Sequence, residues 1–219
     1  MTKPRYITIE GVIGAGKTSL AKKLGEYLDA LIIYEQPEEN PFLKDFYQDP
    51  QRYAFQAQIF FLLSRYRQQQ ENVQPDLFHE VMIADYLFAK DRIFAHLNLD
   101  DRELFLYDKV ASMLEQTVQK PDLVVYLQSS PERLMYNIRQ RGRSYERNIS
   151  LEYITSLNEA YNKFFFHYTD TPLLVINSTQ IDFVNNAEEF KDLAEQIMRP
   201  HYGLEYYSPA HQDSKLKKK

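Results

Sequence analysis

Cysteine is absent from the 219 residues. Disulfides, thiolate metal sites and a cysteine nucleophile are excluded with it, and a reducing compartment fits the absence. No apolar run approaches the roughly eighteen residues of a membrane-spanning helix. The opening MTKPRYITIEG has no long apolar stretch before Glu10 interrupts it. Neither a membrane association nor a signal peptide is expected, and the expected location is the cytoplasm. An excess of positive charge is also lacking. The formal net charge is −5, which disfavours a nucleic-acid partner. Glycine is scarce: of 6 in the chain, Gly11, Gly14 and Gly16 fall in one short stretch. A chain this poor in glycine needs those three where they are.

What is present is ordinary for a globular protein, with 44% apolar and 26% charged residues. The length suits one domain with a sizeable core. No repeat or linker interrupts it. Short apolar runs at Tyr6–Ile9, Leu31–Tyr34, Val81–Ala84, Asp122–Leu127 and Leu173–Ile176 read as strands. Between them, helical spacing predicts helices over 18–28, 50–72, 86–97, 101–118, 131–141, 151–168 and 186–198. Near-continuous apolar strands alternating with helices imply a parallel sheet covered on both faces. Ligands of such sheets sit at the carboxyl ends of the strands. Polar residues stand at four of those ends: Glu10-Gly11, Glu35, Asp85 and Gln128.

Gly11-Val-Ile-Gly-Ala-Gly16-Lys17-Thr18 matches G-x-x-x-x-G-K-[ST] without deviation, after a strand and before a helix. Backbone N–H groups of such a loop turn inward onto phosphate oxygens, and the helix adds its positive end. Gly11, Gly14, Ala15, Gly16, Lys17, Thr18 and Ser19 are therefore the candidate ATP site. Lys17 reaches the β- and γ-phosphates, and the Thr18 hydroxyl ligates Mg²⁺. The loop names a donor. GTPases, ATPase motors and small-molecule kinases share it.

Three features address the acceptor. Asp85, ending the third strand, is placed to hold Mg²⁺, to cap the next helix, or both. Glu35, ending the second strand, faces the same crevice as Lys17 and can take a proton from an attacking hydroxyl. Arg139, Arg141, Arg143 and Arg147 cluster around Gly142, as suits a lid closing over phosphates in transfer.

Several stretches together resemble the deoxyribonucleoside kinases of the deoxycytidine/deoxyguanosine kinase type, over roughly residues 5–198. They are IEGVIGAGKTSL, YEQP, YQDPQRYAFQAQIFFLLSRYR, DYLFAKDRIFA, PDLVVYLQSSPERL, RQRGRSYERNISLEYI and INSTQIDF. The bacterial deoxyadenosine/deoxyguanosine kinase branch is the most similar. The resemblance implies Glu35 as the general base for the 5′-hydroxyl, and Tyr47 and Glu146 at the sugar 3′-hydroxyl. It implies Gln58, Arg65 and Asp91 at the base edge, Arg141 and Arg143 on the phosphates, and Asp182 and Phe183 at the donor adenine. Gln56 competes with Gln58. The family's glutamine precedes its arginine by seven residues, two helical turns on one face, which selects Gln58. A glutamine amide offers a donor and an acceptor in one plane, suited to a base edge. Arg65 and Asp91 add a second donor–acceptor pair or form a plain salt bridge. Tyr53, Phe55, Phe60, Phe61 and Tyr66 read as helix packing, with one or two available to stack on the base.

One departure stands out. The family's Glu-Arg-Ser after the third strand reads Asp85-Tyr86-Leu87 here, so the acid is shortened and the arginine is missing. Arg92 or a lid arginine is the candidate replacement. The expected fold is α/β: a P-loop kinase with a five-stranded parallel sheet flanked by helices and an arginine-rich lid. It forms a single domain over 1–200, followed by a partly disordered C-terminal tail, 201–219. The expected reaction is ATP-dependent, Mg²⁺-assisted phosphorylation of a deoxyribonucleoside 5′-hydroxyl in nucleotide salvage, with purines slightly favoured and deoxycytidine a further candidate. The alternatives are a thymidylate kinase-like monophosphate kinase and a P-loop ATPase without a small acceptor. A homodimer through the long helices fits both their apolar content and the resemblance.

Overall fold

The computed structural model describes residues 3–72, 79–179 and 181–208. Six strands and eight helices follow in the order β1 (Tyr6–Glu10), α1 (Lys17–Leu28), β2 (Leu31–Ile33), α2 (Leu43–Gln48), α3 (Pro50–Asn72), β3 (Met82–Ala84), α4 (Asp91–Asn98) and α5 (Asp101–Glu115). Then come β4 (Leu123–Gln128), α6 (Pro131–Arg141), α7 (Leu151–Phe166), β5 (Leu173–Asn177), α8 (Ala187–Ile197) and β6 (Leu204–Tyr207). No helix among the described residues is long and apolar enough to cross a membrane.

The strands form one sheet in the order β2-β3-β1-β4-β5-β6, every neighbouring pair parallel. All of β1 is buried, as are five of the six residues of β4. That is why these runs read as continuously apolar rather than alternating. Ile7 pairs with Ile83 on one side and Leu123 on the other, and the Asp122 carboxylate accepts the N–H groups of Arg5 and Tyr6. The connection leaving β1 runs toward β2, and that leaving β4 runs toward β5. The carboxyl ends of β1 and β4 therefore flank the point where strand order reverses, the usual place for a ligand.

Local chemistry sets several helix ends. Asp100 and Glu103 form a reciprocal capping box on α5. Ser130 caps α6 with Pro131 in its first turn, and Gly142 ends that helix at φ 68°. Leu62 of α3, Ala95 of α4 and Tyr107 and Ala111 of α5 form a second core beside the sheet.

Three differences from the sequence expectation follow. The sheet has six strands rather than five. The sixth, β6, lies in the stretch assigned to the tail, whose part beyond 208 falls outside the described residues. A short helix, α2, precedes α3. The helix expected over 86–97 begins only at Asp91. Residues 85–87 are loop and Phe88–Lys90 a 3₁₀ turn, because the Leu87 N–H is drawn across the fold to Glu10.

Glu10 is fully buried at the exit of β1. Its carboxylate accepts the N–H groups of Gly11 and Leu87, both at 2.8 Å, and the Tyr161 hydroxyl at 3.3 Å. Lys90 lies 3.9 Å away. Removing one member of a buried ionic cluster strands the others, at a cost of about 3–5 kcal/mol. Glu10→Ala is expected to lower the unfolding free energy in urea by about that amount, and Glu10→Gln, which keeps a carbonyl acceptor, by less. Urea midpoints for the two variants within error of the wild type would refute this role.

Candidate active site

The phosphate loop leaves β1 at Gly11 and enters α1 at Lys17. Gly14 and Gly16 adopt φ 87° and 95°, left-handed backbone that glycine takes without strain. A Cβ on Gly14 would lie 2.6 Å from the Leu134 carbonyl, and one on Gly16 would lie 3.1 Å from the Phe183 ring. The first turn of α1 carries no acidic residue, so its positive end is not neutralised locally. Lys17 Nζ donates to the carbonyls of Gly11 at 2.6 Å and Val12 at 3.3 Å. Burial lowers the Lys17 pKa, and the negative charge of Glu10 opposes that fall. Ala15 is buried, while Thr18 and Ser19 are exposed at the start of α1.

Asp85 joins the two halves of the site. One carboxylate oxygen accepts the Thr18 hydroxyl at 2.7 Å, and the other accepts the Glu35 N–H at 2.6 Å. Burial raises its pKa against these hydrogen bonds. It caps no helix, because α4 starts six residues later. Thr18 and Asp85 thus place two hard oxygen ligands side by side. This suits Mg²⁺, which is commonly held by one or two protein groups plus substrate phosphates. Among the described residues no group of three or more His, Asp or Glu forms a metal cage.

On the acceptor side, Glu35 Oε1 accepts Arg65 Nε at 2.9 Å and a terminal Arg65 nitrogen at 2.6 Å. Its Oε2 accepts Lys90 Nζ at 2.9 Å. Burial alone would raise the Glu35 pKa. Lys90, Arg65 and Lys17 overcome that and hold it well below the usual carboxylate range. Arg65 also donates to the Asp91 carboxylate, whose other oxygen accepts the Tyr107 hydroxyl at 3.0 Å. Burial raises the Asp91 pKa, opposed mainly by Arg65. Burial pulls the Arg65 pKa down, but Asp91 and Glu35 together drive it above its ordinary value. The Gln58 amide donates to the Asp91 carbonyl at 2.9 Å. Gln58 is buried and lines the cleft, whereas Gln56 is exposed.

The sugar-side candidates also meet. Tyr47 stacks on Tyr145 with ring centroids 6.2 Å apart, and both line the cleft with Glu146. Burial and nearby Tyr153 and Glu146 push the Tyr47 pKa well up, so it stays a neutral hydroxyl. Glu146 is buried and accepts Arg141 at 2.6 Å. Arg143 reaches Glu38 at 3.1 Å, and the Tyr145 hydroxyl donates to the same carboxylate at 3.0 Å. The lid is thereby tied to the acceptor side.

The remaining candidates lie apart from this cleft. Arg139 and Arg147 are exposed and line a neighbouring groove with Met135 and Ile149, which shares Arg143 and Glu146 with the cleft. Phe183 packs over the loop at Gly16, and Lys23 holds the carbonyls of Phe183 and Val184 at 3.0 and 2.6 Å. The Asp182 carboxylate is turned onto Asn185. Arg92 is engaged elsewhere, 2.7 Å from Glu115, so it does not replace the missing arginine. Sequence reasoning missed Lys90 and the reach of Glu10. The only signals were a lysine directly before Asp91 and an acid inside an apolar strand directly before the loop glycine.

A family model described as "Deoxynucleoside kinase" matches residues 7–201. The chain is 40% identical over 162 residues to a deoxyadenosine kinase of Dictyostelium discoideum, covering 73% of this chain and 66% of that one. It is 32% identical over 202 residues to a deoxyguanosine kinase of Bacillus subtilis (strain 168), covering 90% and 98%. Its fold is similar to the structure of a deoxyadenosine kinase from M. mycoides with bound dATP. The TM-score there is 0.77 at 26% identity, over 88% of this chain and 98% of that one. The match runs from within the first strand past the last helix, and the chain therefore belongs to the deoxynucleoside kinase family.

Proposed function

We propose that this protein moves the γ-phosphoryl group of ATP onto the 5′-hydroxyl of a deoxyribonucleoside, giving the 5′-monophosphate and ADP. The observation that carries this reading is the Asp85 bridge. It sets the phosphate loop at Thr18 and the proton acceptor Glu35 on one carboxylate, as transfer between two bound substrates requires.

The loop N–H groups, the start of α1 and Lys17 bind the donor phosphates. Thr18 and Asp85 would hold Mg²⁺, which would supply neutralising charge on the phosphates. The sugar lies between Tyr47 and Glu146, and the base lies against Gln58, Arg65 and Asp91. The 5′-oxygen bonds to the γ-phosphorus as the bond from that phosphorus to the bridging oxygen breaks. The hydroxyl proton passes to Glu35, and the electron pair leaves with ADP. A carboxylate held so low by cations is a weak base. It takes the proton late, once bonding to phosphorus has made the hydroxyl acidic, which suits a loose transition state. Arg141 and Arg143 exchange their carboxylates for phosphate oxygens as the lid closes.

Purines are the favoured bases and deoxycytidine is accepted. The supports are the planar Gln58 amide beside the Arg65–Asp91 pair, and the deoxyadenosine and deoxyguanosine kinases among the relatives. The monophosphate-kinase alternative requires a cation near Glu35 free to bind an acceptor phosphate. Arg65 and Lys90 are there, but both are paired with carboxylates. A cytoplasmic location fits the cysteine-free chain. A homodimer fits the apolar face of α5, where Phe105, Leu106 and Met113 are exposed.

Glu35→Gln is expected to lower kcat about 10²- to 10⁴-fold, the usual worth of a general base, in a steady-state assay across the four deoxynucleosides. A kcat within error of wild type would remove Glu35 from that role. Gln58→Ala is expected to raise KM for the preferred deoxynucleoside and to narrow the purine-to-pyrimidine ratio of kcat/KM. An unchanged ratio would take Gln58 away from the base. Sedimentation should show a dimer that Phe105→Glu with Met113→Glu converts to a folded monomer; a monomeric wild type would refute the interface.

A further inference from the structure

Lys90 is an uncommon residue to find so deep in a protein. Its side chain is 3% exposed, and burying an ammonium away from water is costly unless the charge is used. Each of its two acidic neighbours also has hydrogen-bond donors of its own. Glu10 already accepts two backbone N–H groups and the Tyr161 hydroxyl, and Lys90 lies 3.9 Å from it, beyond hydrogen-bond distance. Glu35 is already held by two nitrogens of Arg65. Among the described residues, the Lys90 ammonium makes one side-chain hydrogen bond, to Glu35 Oε2 at 2.9 Å. Glu35 and Lys90 line the cleft together with Lys17, Thr18 and Asp85.

The placement is fixed by the backbone. Lys90 ends the 3₁₀ turn before α4, and that turn is anchored by the Leu87 N–H on Glu10 and by the Lys90 N–H on the Leu87 carbonyl at 3.1 Å. Of the other cations near the cleft, Lys17 serves the donor phosphates, Arg65 is held on two sides, and the lid arginines leave their carboxylates only as the lid closes. Arg65 spans Glu35 and Asp91, Arg141 holds Glu146, and Arg143 holds Glu38. Arg92 is bound to Glu115 outside the cleft. At the position after Asp85, where the resemblance calls for an arginine, Tyr86 is buried in an apolar cluster with Tyr6, Ile33 and Ala84.

Resting on the kinase reading above, we propose that Lys90 is a catalytic cation of the transfer site, taking the place of the arginine missing after Asp85. When the 5′-hydroxyl bonds to the second acceptor position of Glu35 Oε2, Lys90 keeps its place on that oxygen and stands beside the attacking oxygen. There it neutralises charge on that oxygen and on the phosphoryl oxygens in transit. The new O–P bond, the broken bond to the bridging oxygen and the proton on Glu35 are those of the parent reaction. Lys90 gives up no proton and stays an ammonium throughout.

The test compares Lys90→Met, Lys90→Arg and Lys90→Ala with the wild type, using Mg·ATP and deoxyadenosine. Thermal melts establish that each variant is folded. Lys90→Met is expected to lower kcat about 10²- to 10³-fold, the usual effect of deleting one charge-stabilising group, with KM for deoxyadenosine changed less than about threefold. Lys90→Arg is expected to keep kcat within about tenfold of wild type, and ethylammonium is expected to restore part of the activity of Lys90→Ala. A folded Lys90→Met with kcat within about threefold of wild type overturns the proposal. So does an equal loss in Lys90→Arg joined to no amine rescue, since both mark a packing role. If Lys90→Met does not fold, Lys90→Gln takes its place: it keeps a donor to Glu35 without the charge, and the same two outcomes decide. A wild type that phosphorylates no deoxynucleoside overturns the parent reading and Lys90 with it. An active wild type with unaffected variants overturns Lys90 alone.

Discussion

A single carboxylate at the end of the first strand coordinates three parts of the molecule. Glu10 fixes the start of the phosphate loop through Gly11, the loop after β3 through Leu87, and α7 through Tyr161. Each of these partners is distant in sequence from at least one of the others. Without that carboxylate the Leu87 N–H has no reason to leave a helical pattern, and the turn that presents Lys90 and Asp91 to the cleft would not be set. The donor loop and the acceptor wall therefore share one anchor, and their separation is set by buried hydrogen bonds rather than by loop length.

From Glu10 the charges alternate across the cleft, through Lys90, Glu35 and Arg65 to Asp91. Such a chain holds long side chains in one rotamer each before any substrate arrives, which is the preorganisation that phosphoryl transfer depends on. Asp85 sits beside the chain and accepts the Thr18 hydroxyl, adding a carboxylate that has no ion pair among the described residues. The place for further positive charge is therefore at the donor side, where a divalent cation fits.

Much of this was legible in the sequence where the signal is local. The glycine–lysine loop is a contiguous pattern. The buried parallel strands read as apolar runs, and Glu35 and Asp85 were found by standing at strand ends. Gln58 was separated from Gln56 by helical phase with Arg65, and its burial agrees. What stayed hidden depends on partners far along the chain. Residues 86–97 have helical spacing, but a hydrogen bond 77 residues away breaks the first turn. The strand Leu204–Tyr207 is short and half-exposed at the sheet edge, so its pattern does not stand out from a polar tail. Lys90 gave no pattern at all, because a lone lysine before an aspartate is common on surfaces and only the tertiary fold shows it buried.

The lid carries a kinetic meaning of its own. Arg141 and Arg143 rest on Glu146 and Glu38, carboxylates that belong to the acceptor side or adjoin it. On the proposed mechanism, an arginine that lets go of a product phosphate returns to a waiting carboxylate instead of to bare water. Departure becomes an exchange of anionic partners, with little net loss of electrostatic attraction along the way. In kinases whose turnover is limited by opening rather than by chemistry, such resident competitors shorten the lifetime of the product complex.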